Sequence, residues 1–122
     1  MTYEHDPLTE RIIRCAYTVI GVMGCGYVEK VYENALLHEL RKDGLKAEQQ
    51  VGLLVHYDCV AVGEYFVDIL VEGRVVLELK VAKAIDAAHV AQGLNYLKAT
   101  GHHLCLILNF GTPQLGIKRV SL

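Results

Sequence analysis

The sequence lacks tryptophan, has few prolines and contains no long apolar run. The chain has 122 residues, and its two prolines, Pro7 and Pro113, lie near its ends, so no proline-rich linker interrupts it. No apolar segment approaches the roughly 20 residues that a membrane-spanning helix needs. The first residues are polar and acidic, which is not typical of a secretory signal peptide. We therefore expect one globular domain over residues 1–122, located in the cytoplasm.

An excess of positive charge is also absent. Twelve lysines and arginines against fourteen aspartates and glutamates give a formal net charge of −2. Domains that bind nucleic acid usually carry a basic field. The composition therefore disfavours a uniformly basic binding surface, but it leaves room for a local basic patch or for a second subunit.

The four cysteines form no recognisable metal pattern. Cys15, Cys25, Cys59 and Cys105 offer neither a C-x-x-C pair nor a zinc spacing with the histidines. We expect reduced thiols that mostly act as small core residues. The sequence also lacks G-x-S-x-G, P-loop and G-x-G-x-x-G motifs, which disfavours the hydrolase and nucleotide-binding classes that depend on them.

Apolar periodicity predicts the element order α-α-β-β-β-α-β-β. Helices are expected over about 8–23 and 27–42, and a third between Asp86 as its N-cap and Gly101 as its stop. The almost wholly apolar stretch "HLCLILNF" predicts a central strand, and "GIKRV" predicts an edge strand. The remaining strands are "AEQQVGLLVHY", "VAVGEYFVDILV" and "RVVLELKV". The fold class is therefore α/β in the broad sense, a mixed α+β sheet with helices packed on it.

Three charged residues interrupt the most strand-like hairpin of the chain. Burying Asp68, Glu78 or Lys80 costs several kcal/mol each unless the charge is paired or holds a metal. Alternation along a strand places Glu78 and Lys80 on one face. A three-residue loop over 72–74 adds Asp68 to that face, whereas a two-residue turn places it opposite Leu77. The sequence permits both registers.

In the first register, the charged residues form a potential catalytic site. Two adjacent carboxylates repel each other, and Mg²⁺ prefers such oxygen ligands. A neighbouring lysine can activate water or stabilise charge on a phosphate. The alternative is a surface ion pair on a solvated strand face.

Two helices contribute further polar residues. On a helical wheel, Glu29 falls inside the apolar stripe with Tyr32, and Glu33 lies nearer its rim. A carboxylate in an apolar stripe needs a partner, which is either a lysine, its own helix terminus or a shared metal. In the last helix, Gln92 and Tyr96 lie one turn apart on a face with few charges, which is typical of a cleft or of a mildly polar solvent face.

Several motifs in a fixed order carry a family resemblance. The segment "GYVEKVY", Gly26 to Tyr32, fits G-x-x-E-x-x-Y, and "VDILVEGRVVLELK", "AQGLNYLKATG" and "LILNFG" follow it. Over nearly its whole length the chain resembles the GxxExxY family of the PD-(D/E)XK nuclease superfamily. The resemblance implies a restriction-endonuclease-like αβββαβ core with an extra N-terminal helix.

The same resemblance implies roles for individual residues. Asp68 matches the motif aspartate, and Glu78 with Lys80 matches E-x-K. Val67 replaces the proline of the superfamily name, and Lys83 stands where relatives often have an acidic residue, but neither departure removes a ligand. The implied catalytic residues are Asp68, Glu78, Lys80, Glu29 and Gln92; the implied metal ligands are Asp68, Glu78 and Glu29; the implied substrate-positioning residues are Tyr96 and Tyr32.

The expected function is a nuclease that depends on Mg²⁺ or Mn²⁺ and hydrolyses phosphodiester bonds of nucleic acid, with DNA as the expected substrate. A homodimer is expected because a small acidic chain offers little surface to hold a duplex. The alternative is a non-catalytic nucleic-acid-binding or assembly module that retains the nuclease fold. The complete set of Asp68, Glu78 and Lys80 favours the enzyme, whereas the small size and the net charge favour the module.

Overall fold

The computed structural model describes residues 6–122, which form helices and strands in the predicted order. The described helices are α1 (Pro7–Met23), α2 (Glu29–Lys42) and α3 (Ala87–Thr100). The described strands are β1 (Ala47–Tyr57), β2 (Val60–Val71), β3 (Val75–Lys80), β4 (Leu104–Asn109) and β5 (Gly116–Ser121).

Local sequence signals set the ends of these helices. The Asp6 side chain accepts a hydrogen bond from the backbone N–H of Leu8 and caps α1. Asp86 and His89 form a reciprocal capping box at the start of α3, and that helix ends at Gly101 as predicted. Helix α2 begins two residues later than predicted because Val28 is extended. None of the helices within residues 6–122 combines the length and apolarity needed to cross a membrane.

The sheet contains five strands in the order β1-β2-β3-β4-β5. All neighbours are antiparallel except β3 and β4, which run parallel and are joined through α3. Every residue of β4 is buried, and β5 lies at the edge, so the predicted central and edge strands are confirmed. The predicted mixed α+β fold class is likewise confirmed.

Helices cover both faces of the sheet. Helices α1 and α2 pack on one face, where Ile12 and Leu36 join Leu77 in a buried cluster. Helix α3 packs on the other face, where Leu97 joins Val76 in a second cluster. Burying each such side chain stabilises the fold by about 1.5–3 kcal/mol. The central strands therefore have no solvated face.

The cysteines divide between the core and the surface. Cys15 and Cys105 are buried, whereas Cys25 and Cys59 are exposed, and all four are free thiols. The expectation that most of them are core residues is therefore wrong. Cys25 lies between two helices and Cys59 in the turn between β1 and β2, where no core exists to bury them.

The loop after β3 is held close to the start of the loop after β4. The side chain of Asn109 accepts a hydrogen bond from Ala82 N at 3.0 Å and donates one to Ala82 O at 3.0 Å. A Cβ atom added at Gly111 would lie 2.4 Å from both of these Ala82 backbone atoms. Only glycine allows this approach, which fixes the chain immediately beyond Lys80.

Replacing Gly111 with alanine is therefore expected to destabilise the protein by at least the roughly 1–3 kcal/mol that is usual for overpacking, because backbone atoms must move. Urea unfolding of Gly111→Ala beside Gly63→Ala measures the effect. Gly63 is a matched control because an added Cβ there meets no atom within 4 Å. Equal free energies of unfolding for the two variants would contradict the packing described here.

Candidate active site

The register of the β2–β3 hairpin follows the three-residue alternative. Glu72 and Gly73 both adopt left-handed conformations, with φ of 53° and 62°, and Arg74 N donates to Val71 O at 3.0 Å to close the turn. Val71 therefore pairs with Val75, and the register brings Asp68 to the level of Glu78. Glycine adopts this conformation readily, whereas glutamate seldom does.

The pairing between β2 and β3 stops just before the charged residues. The ladder joins Ile69–Val71 to Val75–Leu77 and goes no further. The backbone N–H of Leu79 instead donates to Asp68 Oδ2 at 2.8 Å. The Asp68 carboxylate thus replaces a ladder hydrogen bond at the point where the two strands separate.

Glu78 is an unusually placed carboxylate. Its side chain is 4% exposed, and its Oε1 atom is buried without a hydrogen-bond partner among the described residues. Burial, and next the charge of Asp68, raise the pKa of Glu78 to about 9. Burial also raises the pKa of Asp68, although the Leu79 N–H opposes that shift. A buried glutamate beside a half-buried aspartate excludes the solvated strand face and favours a site built to receive positive charge.

Lys80 connects this carboxylate pair to helix α3. Its Nζ donates to Gln92 Oε1 at 2.9 Å, and Gln92 Nε2 donates to the Tyr96 hydroxyl oxygen at 3.3 Å. Tyr96 is buried, and burial followed by the charge of Glu78 raises its pKa to about 12. Its phenol therefore remains protonated at neutral pH. The structure thus brings Lys80, Gln92 and Tyr96 together.

Helix α2 supplies carboxylates from the other face of the sheet. Burial, and next the charge of Asp68, raise the pKa of Glu29, whereas Lys80 lowers it, so Glu29 lies within electrostatic reach of both. Its side chain is nevertheless exposed, and Glu33 is the buried one at 2% exposure. The wheel assignment was therefore wrong in this respect. Glu29 is the first residue of α2 and lies at the end of its packed face, whereas Glu33 lies one turn further in.

Sequence reasoning missed the polar residues that surround Asp68. Glu33 accepts hydrogen bonds from Lys30 Nζ at 2.9 Å and from Gln50 Nε2 at 3.0 Å. Gln50 has a φ of 53° and lies opposite Asp68 between two regular β1–β2 pairs. A side-chain hydrogen bond from Gln50 lowers the pKa of Asp68. The polar pair "QQ" directly before the apolar residues of β1 was the available signal.

Tyr32 does not lie in the site. Its ring is fully buried and stacks on Phe110, with ring centroids 4.9 Å apart. Its hydroxyl donates to Gly24 O and accepts from Tyr27 N. A side chain without exposed surface does not touch a substrate, so the substrate-positioning interpretation of Tyr32 gives way to a structural one. Tyr32 anchors the loop between α1 and α2.

The raised pKa of Glu78 predicts that the stability of the metal-free protein depends on pH. Because the folded-state pKa of Glu78 lies near 9 and its usual value is 4.5, the folded protein binds this proton more tightly than the unfolded chain. The free energy of unfolding should therefore fall as pH rises from about 4.5 to about 9. Glu78→Gln should remove most of this slope.

Thermal unfolding in EDTA across that pH range measures the effect. Glu64→Gln is the matched control because Glu64 is exposed on β2 and undergoes the same change in charge. A slope that persists in Glu78→Gln, or that disappears in Glu64→Gln, would show that another group titrates.

The chain resembles known proteins in sequence and in fold. The sequence profile of the PD-(D/E)XK nuclease superfamily matches residues 6–120. No curated protein matches the sequence significantly. Among solved structures, that of SSO0001 superposes with a TM-score of 0.59, and the two sequences are 14% identical. The match covers 76% of this chain and 50% of SSO0001, so the chain spans half the length of that protein. An alkaline exonuclease from Laribacter hongkongensis has a TM-score of 0.41 at 14% identity, over 87% of this chain and 75% of that one.

Proposed function

The chain belongs to the PD-(D/E)XK nuclease superfamily, and we propose that it is a divalent-metal-dependent nuclease that hydrolyses phosphodiester bonds of nucleic acid, with DNA as its substrate. We assign it to the GxxExxY family on the motif at Gly26–Tyr32. The observation that carries the proposal is the unpartnered, buried Oε1 of Glu78 beside Asp68, with Lys80 two residues further along the same strand.

The donor set fits a hard divalent cation. Nucleases of this superfamily generally depend on such a metal. No three histidine, cysteine, aspartate or glutamate side chains converge on a complete metal site within residues 6–122. Two carboxylates suit Mg²⁺ or Mn²⁺, because Mg²⁺ keeps several waters and often takes substrate phosphate as a further ligand. Asp68 and Glu78 would hold the ion, with the charge of Glu29 acting from further away, and the bound ion would make water more acidic and offset phosphate charge.

The lysine and its partners would organise the remaining chemistry. One hydrogen of Lys80 Nζ is donated to Gln92, which leaves the others for a water molecule or a phosphate oxygen. Gln92 is itself held by the Tyr96 hydroxyl, so the ammonium is positioned before substrate arrives. Such preorganised positive charge stabilises the negative charge that develops on phosphate in the transition state.

The proposal is tested by incubating purified protein with Mg²⁺ and with Mn²⁺ on plasmid, linear duplex, single-stranded and branched DNA, and on RNA. Cleavage that requires metal and stops in EDTA is the expected result. If no substrate is cut and no metal binds at millimolar concentration, the catalytic proposal fails. Binding of nucleic acid without cleavage would then support the alternative of a non-catalytic module.

We also propose a homodimer. The tip of the β1–β2 hairpin exposes large apolar side chains, with Tyr57 76%, Val60 60% and Val62 59% exposed. Contiguous exposed apolar residues often mark protein contacts. Light scattering should give twice the monomer mass, and Val62→Asp should shift the protein toward monomer because it places a charge in the contact. A monomer at working concentrations would contradict this assembly.

A further inference from the structure

An open groove runs along helix α3 beside the candidate active site. The part nearest the site has a volume of about 450 Å³. The part beyond it has a volume of about 480 Å³ and lies against the β1–β2 hairpin. Tyr65 and Asn95 line both parts, so the two are continuous. Gln92 lines the near part and accepts a hydrogen bond from Lys80, so this end of the groove is one side chain away from the proposed catalytic lysine.

The lysine and histidine side chains along this groove suit a polyanion. His89 lines the near part, and His56 and Lys98 line the far part. Among the described residues that line either part, none carries a carboxylate. The chain as a whole has a net charge of −2, so the groove differs from the chain as a whole in having no acidic residue in its described lining. A phosphodiester backbone is therefore the complementary ligand.

An aromatic side chain stands at the junction of the two parts. Tyr65 is 47% exposed, and its ring meets the buried ring of Tyr96 edge to face, with centroids 5.5 Å apart. Tyr96 binds Gln92, which binds Lys80. The exposed aromatic ring is thus linked to the lysine through two buttressing side chains. A ring fixed in this way offers a rigid stacking platform at low entropic cost.

We propose that this groove binds an unpaired segment of the nucleic-acid substrate, with one base stacked on Tyr65 and its phosphates along Lys98 and the histidines. The inference rests on the proposed function and specifies its substrate as single-stranded next to the cleavage point. Bases within a duplex have their faces covered by neighbouring bases, so an aromatic side chain can stack only on an unpaired one.

The test is binding of a short fluorescent oligothymidylate in EDTA, where cleavage does not interfere. Tyr65→Leu keeps an apolar side chain against Tyr96 but removes the aromatic face, so affinity should fall roughly 5- to 150-fold, the range expected for one stacked base. Tyr65→Phe should bind as the wild type does. Tyr17→Leu is the matched control because Tyr17 on α1 is equally exposed, at 48%, and lies away from the groove.

Two further probes identify what Tyr65 contacts. An oligonucleotide of abasic sites keeps the phosphates but has no bases, so the wild type and Tyr65→Leu should bind it alike. A duplex of the same length should bind more weakly than the single strand. The proposal is overturned if Tyr65→Leu binds oligothymidylate with wild-type affinity, if Tyr17→Leu loses as much, or if the duplex is preferred. Because these measurements need no turnover, failure here is distinct from an absence of cleavage in the metal-dependent assay.

Discussion

Asp68→Asn is expected to abolish both divalent-cation binding and cleavage while leaving the fold intact. Asparagine removes the negative charge that the cation would neutralise, but its side-chain oxygen can still accept the hydrogen bond from Leu79 N that Asp68 Oδ2 accepts at 2.8 Å. Alanine would remove the charge and this bond together, and an unpaired buried N–H costs about 1–3 kcal/mol. The Asp68→Asn variant therefore tests metal binding and cleavage without the loss of stability that alanine would cause.

Calorimetric titration with Mg²⁺ and Mn²⁺, thermal unfolding and cleavage assays together measure these effects. Asp58→Asn is the matched control, because Asp58 lies in the exposed turn between β1 and β2 and loses the same charge. It should bind metal and cleave as the wild type does. If cleavage persists undiminished in Asp68→Asn, the activity belongs to a contaminant or to another site.

Lys80→Met is expected to reduce turnover by roughly 10²- to 10⁴-fold, the usual range for a lost acid–base group. Methionine preserves most of the length of the side chain without its charge. Metal affinity should remain or increase, because the Lys80 ammonium lies within electrostatic reach of Asp68 and Glu78 and would repel a cation that they bind. The signature is therefore a loss of kcat without a loss of metal binding.

Single-turnover cleavage with saturating metal, beside calorimetry, separates the two quantities. Lys83→Met serves as the control because Lys83 is exposed in the loop after β3 and undergoes the same substitution. A parallel loss of metal affinity and turnover in Lys80→Met would indicate that the lysine holds the site together rather than acting on water or phosphate.

The fold was largely predictable because its signals are local. Apolar periodicity gave the element order, and Asp86 and Gly101 gave the ends of α3. The hairpin register could not be predicted because it depended on whether the loop has two or three residues. The loop that formed requires Glu72 in the left-handed conformation, which few side chains favour. Lys46 O accepts a hydrogen bond from Glu72 N, and Lys46 N donates one to the Glu72 carboxylate, so the residue just before β1 supports this conformation.

Site residues could be predicted where strand alternation or motif spacing identifies them. They could not be predicted where three-dimensional packing determines their burial and contacts. Glu29 is exposed and Glu33 is buried because α2 begins at Glu29, at the edge of its packed face. A helical wheel does not describe where a helix begins relative to the sheet. Gln50 reaches Glu33 only through a local irregularity of β1. The need for glycine at position 111 arises from its contact with Ala82, which lies far away in the sequence.

The β2–β3 pairing ends at Ile69 and Leu77, and this has a consequence for how the proposed site is assembled. Side chains on opposite faces of an intact sheet are kept apart by the sheet itself, but here Glu29 from one face and Gln92 from the other both approach Lys80. These residues come from distant parts of the chain, and their meeting point exists only after β2 and β3 have paired and then separated. No single segment carries all of these residues, so the proposed site is complete only in a chain in which helices have packed on both faces of the sheet.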